Sequence, residues 1–436
     1  TDDPVLQMRE GVHLYGGFIG TETQRSQRDW AVNISAIDGE NTRRGVLGAN
    51  NSTLDGFTIA NCNNVEDDAA FPGDEGSGAG MLDYDVSPTV TNCVFSGNSS
   101  IFAGGMLNLG LSMEISPTIT NCTFTGNSAI NTGGGMCNVD AGPVVSNCSF
   151  VDNYGGGGGG MSNFYGTPTV SGCSFTGNES LLYGGGMINW EASPTVIDCV
   201  FANNNGGVKD SFDISVADGG GGMYNRKSSP TVLNCTFTNN KAGENSEGIY
   251  GSGGGMFNHL NSSPVVTNCT FSGNAALNGG GLSNQSSSSP ILTNCIFSEN
   301  SASEKGGGIS VWTTRITVMN CTFTRNTSSS GGGIAFQVLL APAAITAQTI
   351  ENCIIWGNST PEISIAPFHD LNILNSCIRG EYWGQGTIDA DPLFVSETDL
   401  RLQEGSPCID SGTTQGLTPE TDILGNPRPQ GFGYDM

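Results

Sequence analysis

Charge is scarce in this chain, and positive charge is scarcest. Only 13% of the 436 residues are charged, with 15 Lys and Arg against 41 Asp and Glu. The resulting net charge of −26 repels nucleic acid and anionic membrane, whose binding depends on basic side chains meeting phosphate. No nucleic-acid partner is therefore expected. The acidity suits a solvated surface, or loops that attract Ca²⁺. No apolar run reaches the ~18 residues of a membrane span, so no transmembrane segment is expected. No signal peptide opens the chain, and Thr1 reads as a mature N-terminus or a cut end. Cys-x-x-Cys pairs are missing despite 14 cysteines, which removes the usual zinc arrangement. A Gly-x-y period is missing despite 65 glycines, which removes collagen.

What is present is a repeat. Ser262–Asn284 reads SSPVVTNCTFSGNAALNGGGLSN, and its pattern S-P-x-V-x-N-C-x-F-x-x-N…G-G-G-M/L-x-N recurs from about residue 78 to 358. Such self-similarity marks a solenoid or propeller. Twelve cysteines are read as one position of it: Cys62, Cys93, Cys122, Cys148, Cys173, Cys199, Cys235, Cys269, Cys295, Cys321, Cys353 and Cys377. Successive copies most often lie 25 or 26 residues apart. Longer steps carry inserted loops between the F-x-x-N segment and the next Gly run.

Each copy holds three strand-like segments. Around Asn121 they are Thr118–Thr120, Cys122–Phe124 and Gly135–Asn138. Val, Ile, Thr and Phe favour strands, and Pro suits the first residue of one. Gly and Asn at the corners accept left-handed backbone. Helical periodicity of 3.6 is absent, which excludes leucine-rich and helical repeats, and a propeller blade needs about 40 residues. Three strands and three turns in so short a copy describe a parallel β-helix. Stacked at roughly 4.8 Å, repeated residues become ladders: valines, cysteines, phenylalanines from Phe95 to Phe323, and corner asparagines such as Asn92, Asn121 and Asn147 bonded amide to amide. The N-C-T and N-C-S triplets also match a glycosylation sequon, but are read first as corners. The cysteine ladder is expected to be buried and reduced.

These motifs resemble the right-handed parallel β-helix repeats of bacterial surface and secreted proteins, a pattern also seen in chlamydial polymorphic membrane proteins. GVHLYGGFIGTETQRSQRDW (11–30) and LDGFTIANC (54–62) resemble the opening of such helices, and DADPLFVSETDLRLQEGSPCIDSG (389–412) their close. The resemblance implies an all-β chain, a single right-handed parallel β-helix with three short strands per coil and capping segments at both ends. Residues 1–61 are assigned to an N-terminal cap and first coils, 62–379 to the array, and 380–436 to last coils and C-terminal cap. It also implies extracellular or cell-surface placement in a bacterium.

Function is less legible. Two acidic loops are candidate Ca²⁺ ligands, Asp67, Asp68, Asp74 and Glu75 in one and Asp210, Asp213 and Asp218 in the other, since Ca²⁺ takes six to eight oxygens. Neither has EF-hand spacing. Tyr165, Tyr183, Trp190, Tyr224 and Trp312 lie off the core ladders and are candidate carbohydrate-stacking residues. A lyase would need Ca²⁺-holding acids and an Arg or Lys base on one face. Lys305, Arg315 and Arg325 are isolated, and Arg226-Lys227 has no acidic cluster in its own coil. His13, His259 and His369 lack the context of polygalacturonase-like enzymes. The expectation is a non-enzymatic surface protein, adhesive or fibre-forming. A carbohydrate-active enzyme or carbohydrate-binding protein on the same scaffold is the alternative. Five of eleven arginines (Arg9, Arg25, Arg28, Arg43, Arg44) lie before residue 62, whereas residues 379–436 hold ten acids against three arginines. Opposite ends of opposite charge suggest head-to-tail self-association.

Overall fold

The computed structural model describes residues 3–64, 76–112, 114–207, 219–245, 248–249, 251–312, 314–337, 348–367, 370–380, 382–413, 420–429, 431 and 433–436. The chain divides into two units, Thr1–Asp213 with Gly220–Tyr224, and Ile214–Gly219 with Asn225–Met436. Each winds as a parallel β-helix.

One coil of the first unit shows how the sequence produces the turn of the helix. Thr118–Thr120, Thr123–Thr125, Ser128–Thr132 and Met136–Val139 are strands. Each pairs in parallel with its counterpart one coil later, placing Ile119 beside Val145, Phe124 beside Phe150, Ala129 beside Gly155 and Met136 beside Met161. Alternate residues face inward, so Ile119, Phe124 and Met136 are buried. The same three rows recur in the second unit, as Val266 beside Leu292, Phe271 beside Phe297 and Met256 beside Leu282.

The coil carries a fourth strand beyond the three expected. Ser128–Thr132, Tyr154–Gly157 and Glu179–Tyr183 read SAINT, YGGG and ESLLY, with no repeated side chain to reveal them. Backbone pairing holds this row, and its inward residues Ser100, Ala129 and Ser180 are small and buried. It occupies the stretch where loops are inserted, and its register slips within its longer pairings.

Phenylalanine rings stack along each unit with centroids 4.7 to 4.8 Å apart and planes within 4° in the first, and 4.6 to 4.8 Å in the second. That spacing is set by the strands, and it falls within the centroid range of favourable ring pairs. The Gly run closes against them. A Cβ on Gly135 would stand 2.5 Å from the Gly160 carbonyl oxygen and 3.0 Å from Phe150 Cδ1. The third glycine of each run is therefore required by close approach rather than by its backbone angle.

The cysteine ladder is real but shorter than the spacing implied. In Cys122, Cys148 and Cys173, each backbone N–H meets the next coil's Sγ at 3.3 to 3.4 Å. Each thiol in turn reaches a carbonyl oxygen of the valine row one coil back, as Cys122 does to Val90 at 3.6 Å. Cys235 and Cys295 repeat this in the second unit. All 14 cysteines are buried and free, and burial pushes the Cys122, Cys269, Cys295 and Cys321 thiols well above the ordinary thiol range. Two assigned members lie elsewhere. The pairing of Ile59 with Phe95 and Ala60 with Ser96 puts Cys62 level with Asn98, five residues after the cysteine place. Ile354 pairs with Cys377, so Ser376 takes the ladder place and its Oγ accepts the Cys353 N–H at 3.1 Å.

The N-terminal arginines are also more enclosed than their charge suggested. Of the five N-terminal arginines, Arg44 is buried and donates to the Ser77 and Gly78 carbonyls. Arg28 is paired with Asp55 and donates to the Gly16 carbonyl, while Arg25 lies over the Tyr15 ring at 4.4 Å. Three of the five thus serve the first coils, leaving less basic surface for a charged end contact.

Candidate functional site

Asparagine is the commonest buried polar residue, and the buried rows are not those expected. Asn92, Asn121 and Asn147 sit at the corner between valine and phenylalanine rows with φ of 53°, 55° and 53°, which confirms the left-handed turn. They lie at the surface, though. Asn121 Nδ2 reaches Asn92 Oδ1 at 3.4 Å, a long bond, and Asn92 donates to Asp55 at 2.8 Å. Asn147 and Asn121 are exposed, so the sequon asparagines point outward rather than into the stack.

Two continuous ladders lie inside. The first is the last asparagine of F-x-x-N. Asn127 Nδ2 donates to Asn153 Oδ1 at 3.0 Å and to the Phe95 carbonyl at 3.0 Å, while Asn153 Oδ1 also accepts the Asn127 N–H. The pattern runs from Asn98 to Asn204 in the first unit and from Asn240 to Asn358 in the second. The second ladder is the asparagine two residues after the Gly-run methionine: Asn108 to Asn138 at 2.7 Å, then to Asn163 and Asn189 at 2.8 Å each. The F-x-x-N and G-G-M-x-N spacings could have revealed both, because they keep the asparagine on the inward side of its strand.

These ladders take the inward asparagines; the outward rows carry repeated Thr, Ser and corner Asn, and a few aromatic side chains stand among them. In Met161–Phe164 and Met187–Trp190, Met and Asn face in, so the second and fourth residues face out. The second place is nonetheless buried, by Leu107, Cys137, Ser162, Ile188 and Tyr224. The end of the fourth strand folds over it, with Thr132 Oγ1 donating to Ser162 Oγ at 2.7 Å. Tyr183 closes this corner by stacking on Tyr224 with centroids 4.8 Å apart. The fourth place is open at Phe164 and Trp190, whose rings are half-buried and lie 6.4 Å apart. Tyr165, 56% exposed, follows Phe164 in the turn.

The aromatic candidates therefore separate. Tyr165 and Trp190 belong to one edge of the first unit, joined by Phe164, which its place in the strand could have identified, whereas the half-buried Tyr183 stacks on Tyr224. Tyr224 is fully buried and supports Tyr183 instead of meeting solvent. Trp312, in the second unit, is half-buried and donates through Nε1 to Ser310 Oγ at 2.9 Å. The expected acidic ligands Asp67, Asp68, Asp74, Glu75, Asp210, Asp213 and Asp218 lie outside the described residues. Among the described residues no group of three His, Cys, Asp or Glu could hold a metal. Arg325 pairs with Glu299 at 2.9 Å.

The model of the right-handed β-helix region matches residues 116–274, 210–338 and 259–387 in overlapping copies, more than half of the chain. The chain belongs to this family. The helix is accordingly right-handed, as the parallel pairing of successive coils would favour. No curated protein matches the sequence. Among solved structures, the β-helix is similar to a variant of the periplasmic alginate epimerase AlgG at 9% identity and TM-score 0.41, covering 86% of this chain and 79% of that one. It is similar to pectate lyase Pel9A at 11% identity and TM-score 0.38, covering 95% and 94%. The Siphovirus 9NA tailspike receptor binding domain matches at 9% identity and TM-score 0.28, covering 89% and 74%.

Proposed function

We propose that this β-helix is a non-enzymatic extracellular protein of a bacterial surface, a rigid adhesive body that binds carbohydrate along one aromatic edge. The observation that carries the reading is the division of labour between side chains. The asparagine ladders bond coil to coil in the interior, while Phe164, Tyr165 and Trp190 remain at the surface of neighbouring coils. Aromatic faces are apolar and rigid, and suit the apolar faces of sugar rings. On successive coils the Phe164 and Trp190 rings stand 6.4 Å apart, close enough to meet neighbouring units of one polysaccharide chain. Rigidity supports the adhesive role, since a preformed surface loses little entropy on binding.

The test is a panel of soluble polysaccharides, including polygalacturonate and alginate, probed for binding and turnover together. Retention that falls at least tenfold in the Trp190→Ala/Tyr165→Ala double variant, with no product released, supports the reading. Release of unsaturated or epimerised sugars would replace it with the enzymatic one, and absence of any retention would overturn carbohydrate binding.

A further inference from the structure

The cysteines that stand off the ladder include one pair. Cys377 lies on the last strand of the phenylalanine row, on its outward side beneath the closing segment, and its Sγ lies 3.1 Å from the Ala390 carbonyl oxygen. Cys408 arrives from the closing segment, where the Met436 N–H donates to its carbonyl at 3.1 Å. Both are fully buried in one apolar cluster with Ile354 and Met436, against which Trp356, Ile388, Phe394 and Leu402 pack.

Their relation differs from that of ladder neighbours. Ladder cysteines ride on parallel strands in register, so their Cβ atoms keep about the 4.8 Å strand spacing, beyond the roughly 3.8 Å of a disulfide. Their sulfurs are also occupied by the previous coil's N–H groups. Cys377 and Cys408 come from segments that do not stack in register, and neither restriction applies to them.

We propose that Cys377 and Cys408 form a disulfide that fastens the closing segment over the last coil. A disulfide-type oxidant such as oxidised glutathione supplies the chemistry. One thiolate attacks it and expels one reduced glutathione; the second thiolate attacks the mixed disulfide and expels the other. Two protons leave the cysteines, and their two electrons pass to the oxidant. The bond covers the end most prone to fray and to recruit other strands. Extracellular placement bears only on where oxidation occurs, so the test is made in vitro and its failure leaves the carbohydrate reading standing.

The purified, fully reduced protein is equilibrated with oxidised glutathione, alkylated in denaturant and mapped by peptide mass. The expected result is one intramolecular bond, between Cys377 and Cys408, with every ladder cysteine alkylated. The melting temperature should rise by several degrees and return when reductant is added. Cys408→Ser should lose both the bond and the rise; the Cys137→Ser control should keep both. Alkylation of Cys377 and Cys408 in the oxidised wild-type protein would overturn the proposal without reference to any variant. So would a bond confined to ladder cysteines.

Discussion

Asn358 donates its side-chain amide to Oε2 of Glu362 at 2.7 Å and its backbone N–H to the same oxygen at 3.1 Å. Those are the two bonds that Asn240, Asn274, Asn300 and Asn326 each give to the next asparagine's Oδ1. The carboxylate thus stands in for the next asparagine, and Arg379 meets its other oxygen at 2.8 Å. Burial pushes the Glu362 carboxyl up, while Asn358 and Arg379 pull it down.

Removing that terminus should loosen the second unit. Glu362→Ala leaves the Asn358 donors and the Gly357 N–H unanswered in the interior, a cost of about 3 kcal/mol by the usual penalty for orphaned buried donors. Glu362→Gln keeps an acceptor oxygen and should recover more than half. Urea unfolding of the three proteins checks the order; equal stability of Ala and Gln variants would contradict the terminating role.

The other end of the second ladder holds Asp83, level with Asn108 in register and fully buried. Both Asp83 oxygens and Asn108 Oδ1 have no partner. Burial pushes the Asp83 carboxyl well above the carboxylate range. A folded-state pKa above the unfolded one means the native state holds the extra proton. The contribution to stability is therefore full below the unfolded pKa near 4 and is lost as pH rises toward the folded pKa. Asp83→Asn removes the titration and supplies an amide donor for Asn108. Its melting temperature should exceed wild type at pH 7, with the gain shrinking at pH 4; a pH-independent difference would refute the account.

Interior and corner asparagines should behave differently although both recur. Asn153→Ala orphans the Asn127 amide and N–H and the Phe124 carbonyl, and should cost at least about 2 kcal/mol. Asn121→Gly keeps the left-handed corner open to glycine and should be near neutral. Denaturant midpoints decide between them, and equal losses would mean that the corner row also carries the stack.

Gly135→Ala should be among the costlier methyl additions in the chain. The added carbon meets a backbone oxygen and a ring edge, neither of which can move without shifting a coil, so a loss of about 1–3 kcal/mol is expected from overpacking. Gly126→Ala has open space around the Cβ and φ of +61°, and its loss should come from backbone strain alone. Melting curves of Phe150→Leu combined with each separate the two causes: relief of the Gly135→Ala loss only is the expected result.

The amino-acid sequence by itself determined the β-helix, its coil length and its valine and phenylalanine rows. Those features depend on local periodicity and on residue type, and each copy restates them. The left-handed corners at Asn92, Asn121 and Asn147 were legible for the same reason, since asparagine tolerates that backbone. Only the tertiary structure decided register between coils. Cys62 and Cys377 carry the right residue near the right spacing, yet strand pairing places one beside Asn98 and the other beside Ile354. It also decided which asparagines bond, because facing inward depends on strand phase and not on recurrence. The fourth row was hidden because backbone bonds between coils hold it while its side chains vary. Tyr224 and Trp190 read alike as aromatics near a Gly run. Folding of the fourth strand over the second outward place buried Tyr224 and left Trp190 at the edge.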